Sequence, residues 1–255
     1  MSVFIVGLSC VAGAAAIMAA ITYFLRKSKS PDEVAGSENN TLSGQVFGIV
    51  GGLHAVLIAF ILIGLLDNAN STRDESYREA DGLIAVDWAA KSLPADARVK
   101  IQELTYGYAT TVSQKEWPRM ADGGNVENLG WTQLEQLSTV VSGVEVSEDW
   151  QKSRQQEATE KLWEVYEARQ ERLNAVSNGG VSPVIWFALA LGTLLTVGLP
   201  LLFGGTKLRT HIIVVSTLTA TLTLLLFAIY QLQNPFTGGA AVGPGAFQSA
   251  LERLK

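Results

Sequence analysis

The chain has 255 residues, 48% of them hydrophobic and only 17% charged, whereas soluble domains carry about a quarter charged residues. This excess points to a membrane protein with polar stretches between apolar blocks. A net charge of −5 and a pI near 5.2 exclude nucleic acid as a partner, and one cysteine, Cys10, with two histidines, His54 and His211, excludes a disulfide framework and leaves little for metal or triad chemistry, so the expectation is a non-enzyme without cofactor or metal.

In chain order, the first apolar run lies in residues 1–26, uncharged from Val3 to Leu25. It lacks a basic leader and is too long for a signal-peptide core, so it reads as a retained transmembrane helix. A short basic and polar loop, 27–43, follows, beginning just after Arg26 and carrying Lys27 and Lys29. A second span covers 44–66, a third 183–204 and a fourth 212–232, with the short basic loop 205–211 between the last two. About 20 apolar residues at about 1.5 Å each cross a bilayer's hydrocarbon core, and in lipid only a helix satisfies its own backbone. The sequence thus predicts an all-α multi-pass membrane protein.

Between the second and third spans lies the polar segment 67–182, read as a helical extramembrane domain. Tyr77, Ala80, Ile84 and Trp88 recur at spacings of three and four, predicting a helix over 70–92 with that apolar face, broken at Pro94. Val99, Leu104, Tyr108 and Val112 predict a second helix over 95–117, ended by Pro118. A Gly/Asn-rich loop over 121–130 precedes a short helix over 131–141. Ser147 then reads as the cap of a long helix to Val176 that carries Trp150, Leu162, Val165 and Leu173 on one side. The tail is 233–255. Lys and Arg concentrate in the short loops, which favours those loops being cytoplasmic, but comparable numbers flank the membrane opposite, so the side of the helical domain stays open.

The second span begins Gly44-x3-Gly48-x3-Gly52, a small-residue ladder suited to close helix packing. Another face carries His54, Ile58, Ile61 and Leu65, the candidate lining of a pore with a hydrophobic neck. Asp67, Asp74 and Glu75 follow at its exit and, repeated around an axis, would form acidic rings that favour cations. In the fourth span Ser216, Thr219 and Thr223 share one side, a candidate polar path, although such hydroxyls also bond their own helix carbonyls.

The order of elements resembles the bestrophin-like family of bacterial membrane proteins. The markers are Leu93-Pro94, Tyr108 followed by Glu116-Trp117-Pro118, and Gln233-Asn234-Pro235-Phe236-Thr237-Gly238-Gly239 with Pro244 and Phe247 behind it. The resemblance implies a homo-oligomer, pentameric in bestrophins, with second-span helices around a central path for inorganic ions. It places the family's neck on the second span, at Ile58, Ile61 and Leu65 by helical face, or at Val56 and Phe60. No long acidic cluster follows Asn-Pro-Phe, so the calcium clasp of animal bestrophins is not carried over. In bestrophins the helical insert is cytosolic, opposite to what the basic loops here favour. The expectation is an oligomeric ion channel of the bacterial cytoplasmic membrane, weakly cation-selective. Its rival is a membrane-anchored interaction or sensor protein whose helical domain binds a partner without conduction.

Overall fold

The computed structural model describes residues 2–27, 37–124, 126, 128–178, 180–202 and 208–255, and those residues form helices and turns with no strand among them. The helices are α1 (Ser2–Lys27), α2 (Ser37–Ala90), α3 (Ala95–Thr111), α4 (Trp117–Ala121), α5 (Leu129–Ser142), α6 (Asp149–Asn178), α7 (Pro183–Leu202), α8 (Leu208–Leu232) and α9 (Gly245–Arg253). A five-residue π turn, Val112–Glu116, joins α3 to α4. Four helices, α1, α2, α7 and α8, are long and apolar enough to cross a membrane. Of the two basic loops read at 27–43 and 205–211, residues 28–36 and 205–207 lie outside the described residues, and the remainder belongs to α1, α2 and α8.

The chain divides into two compact units. The first comprises Met1–Leu65 and Val181–Gln233 and holds the apolar helices. Here α1 packs along α8, close enough that a β-carbon on Gly7 would come within 2.6 Å of the Phe227 ring. Ile58 and Leu65 of α2 join Leu189 and Val197 of α7 and Val215, Leu222 and Ile229 of α8 in one apolar cluster.

The second unit comprises Leu66–Gly180 and Asn234–Lys255. The polar segment shares its core with the tail read as a separate element, which contributes Phe236, Val242 and Phe247. There is also no helix start near Asn70, because α2 runs unbroken from Ser37 to Ala90. The switch from apolar to charged residues at Asp67 changes the helix's environment and not its backbone, since no proline interrupts it before Pro94. The predicted apolar face at Tyr77 and Trp88 is corrected as well. Both side chains are about half exposed, and the buried row is Ser76, Glu79, Leu83, Val86 and Ala90.

The π turn has a local cause. Pro118 has no N–H and its ring crowds the carbonyl four residues back, so the ladder widens there and the Trp117 N–H bonds the Val112 carbonyl. The helix predicted from Ser147 begins two residues later, with Glu148 supplying its first acceptor carbonyl to Gln151 and Lys152.

Candidate functional site

In the first unit α2 shows two unlike sides. The inward side holds His54, 4% exposed, Ile58 at 2% and Leu65 at 8%, with Ile61 half-buried. His54 Nε2 lies 3.0 Å from Thr193 Oγ1 on α7. The imidazole rests on Gly192, where a β-carbon would overlap the ring. Of the residues read as a neck, His54, Ile58 and Leu65 are packed inside the single chain, Ile58 and Leu65 against α7 and α8.

The outward side of α2 carries Val46, Ile49, Leu53, Val56, Phe60 and Ile63, spaced alternately by three and four residues and all exposed, Phe60 by 70%. Beside this row stand Gly44, Gly48 and Gly52, and a β-carbon on any of the three would meet nothing within 4 Å. Among the described residues no helix packs on this ladder of small residues.

In the second unit Asp67 and Asp74 are exposed on α2. Glu75 is turned differently. It is partly buried, pairs with Arg78 Nε at 3.1 Å, and lines a small cavity of about 180 Å³ with Asn68, Thr72 and Glu171. The polar path on α8 is not assembled: Thr219 is 7% exposed and bonds the Val215 carbonyl of its own helix, while Ser216 reaches the Ala15 carbonyl of α1 at 3.5 Å. Thr223 is half-buried.

The second unit also contains a cluster that sequence reasoning missed. Arg169 and Arg172 of α6 are wholly buried, as is Glu79 of α2, and Glu116 of the π turn is 3% exposed. Arg169 grips Glu116 with two parallel bonds, Nη2 to Oε1 at 2.7 Å and Nη1 to Oε2 at 2.9 Å. Arg172 grips Glu79 the same way, Nε to Oε2 at 2.7 Å and Nη2 to Oε1 at 3.0 Å, and adds a 3.3 Å bond to Glu116. The Tyr108 hydroxyl donates to Glu79 at 2.5 Å and accepts from Arg169 at 3.0 Å.

Two charges of each sign leave the cluster neutral, which is the condition for keeping ions out of water. Burial pushes the Tyr108 hydroxyl well above its ordinary range, and the Glu79 charge adds to the effect. For Arg172 burial works downward, but Glu79 outweighs it and holds the guanidinium more firmly charged than usual. Among the described residues Arg169 Nε finds no acceptor. Gly130 makes room for the cluster, because a β-carbon there would stand 2.5 Å from both Arg169 Nη2 and Glu116 Oε1.

Aromatic rings wall the cluster. Arg169 lies 4.7 Å over Trp131, and Arg172 lies 5.6 Å from both Trp117 and Phe247. Trp117 binds the tail to the same place: its Nε1 donates to the Val242 carbonyl at 3.0 Å, and Phe236 meets its ring edge-on at 5.4 Å. Asn234 Oδ1 accepts the Phe236 N–H at 2.8 Å, closing the turn that aims Phe236 inward. Tyr108, Glu116, Trp117, Phe236 and Phe247, scattered along the sequence, are therefore neighbours in one packed core.

The comparisons agree with this architecture. No curated protein matches the chain. A crystal structure described only as that of a membrane protein is similar over 94% of this chain and 97% of that one, with a TM-score of 0.66 and 11% identity, a likeness of fold alone. The Bestrophin-like domain matches residues 11–247, nearly the whole sequence and every element of the charged core, and the chain belongs to the bestrophin-like family.

Proposed function

We propose that the protein is a channel-type membrane protein that conducts ions as a homo-oligomer, with the outward row of α2 facing the path. One observation carries the reading: half of α2 is bare in the single chain, and the bare side presents bulky apolar residues beside an unfilled ladder of small ones. Such a helix is suited to packing against its own copies around an axis. The neck then falls at Val56, Phe60 and Ile63, where rings of apolar side chains would gate by excluding water. Asp67 and Asp74 supply the carboxylates that weakly favour cations. Five copies is the number the family suggests, the bacterial cytoplasmic membrane is the setting, and no enzymatic step is assigned.

The test is single-channel recording from the purified protein in a planar bilayer under a salt gradient. Discrete openings with a cation-favouring reversal potential are expected. Phe60→Ala should raise conductance, and Asp67→Asn should move the reversal potential towards anions. Reproducible silence from correctly assembled protein would overturn the channel reading in favour of a membrane-anchored interaction protein. A monomer in solution would overturn it too.

A further inference from the structure

We propose that the groove between α5 and α6 is a binding site for an organic cation, an alkylated ammonium carried on an apolar body. The groove encloses about 950 Å³ within the second unit, the size of sites that hold drug-sized molecules. One wall is a continuous aromatic run: Trp131 and Tyr166 are 4.9 Å apart, and Tyr166 stacks on Trp163 at 5.2 Å. Trp163 stays 61% exposed, a large ring that folding has left uncovered.

The polar lining has one sign. Glu135 of α5 and Glu160 and Glu164 of α6 contribute carboxylates, and no Lys or Arg lines the groove among the described residues. Lys161 compensates Glu164 at 2.7 Å, while among the described residues Glu160 receives only a neutral amide from Gln156 and no cation is paired with Glu135. A surface of aromatic faces and uncompensated carboxylates attracts a weakly hydrated cation, because ring quadrupole and carboxylate act with the same sign. The buried end of the run already behaves this way, with the Arg169 guanidinium over Trp131. An anion would meet repulsion from the carboxylates, and a bare metal ion would gain little from the rings.

The site is independent of conduction, and the test keeps the two apart. The full-length protein in detergent is titrated with benzyltrimethylammonium chloride at constant ionic strength. Saturation-transfer NMR of the ligand's methyl protons reports contact with the protein. Saturable transfer is expected, about 5-fold weaker in Trp163→Leu and about 2-fold weaker in Glu160→Gln. Benzenesulfonate should give none, and Phe60→Ala should leave the titration unchanged. Equal signals from cation and anion, or an affinity unmoved by Trp163→Leu, would overturn the proposal. So would a change of subunit number in Trp163→Leu, measured by light scattering, because the groove would then be a contact between copies.

Discussion

The two units solve opposite problems with the same element, the α-helix. In the second, α2, α3, α5 and α6 bury a continuous core and can enclose four full charges, because every carboxylate oxygen there finds a donor. In the first, the buried cluster is small, and large apolar side chains stand bare on every helix, among them Phe4, Leu8, Phe60, Phe187 and Ile213. Contiguous bare apolar surface marks a place that something else covers, lipid or another protein. The second unit is held by what lies inside it, and the first is finished only from outside. Burial in a single chain therefore separates what packs from what faces outward, a distinction that apolar spacing alone cannot make.

That contrast can be tested by substitution. The largest effect should come from Arg172→Ala, which takes both guanidinium bonds from the buried Glu79 and leaves it only the longer 4.0 Å pairing with Arg169; a loss of about 3–5 kcal/mol is expected, read from thermal unfolding followed by near-UV circular dichroism. Gly130→Ala should cost about 1–3 kcal/mol in the same assay, since its new carbon must displace Arg169 or Glu116. Tyr108→Phe should cost about 1 kcal/mol at neutral pH.

The same hydroxyl predicts a pH effect. Its folded pKa is raised by burial and by Glu79, so its contribution is complete below the unfolded value of about 10 and is lost as pH rises beyond it. Alkaline titration should show that loss in the wild type, and Tyr108→Phe should lack it. At the small end stands Gly48→Ala. With open space at that position and Ala the better helix former, folding stability should not fall and should rise by at most about 1 kcal/mol. Weaker subunit association, seen by light scattering, would nonetheless show that the ladder is used between copies.

The four apolar helices were legible because lipid demands long uninterrupted runs, but the ends of α2 were not, because it starts at Ser37 and continues to Ala90 with no break in the backbone. The outward row of α2 was harder to find. Ile58 and Phe60 are equally apolar, and only the neighbours α7 and α8 decide which one is covered. The charged core looked like ordinary helix surface. A signal was nevertheless present: Leu162, Val165, Arg169 and Arg172 keep one spacing of three and four, so two arginines occupy positions where that face should be apolar. Glu79 does the same between Ser76 and Leu83. Charges set in phase with a core row are a readable sign of a buried ion pair, provided the partner charge is found in phase on another helix. The partner Glu116 was out of reach, because the π turn breaks the count after Val112.

That turn also bears on how this segment can change over evolutionary time. Substitutions within Val112–Glu116 leave the helix's register intact, whereas removing a single residue would let the ladder relax to ordinary α geometry. The local backbone would gain, but a step of about 100° would swing Glu116 off the arginines. Insertions and deletions should therefore be far rarer across these five positions than in the loop that follows, even where individual side chains vary.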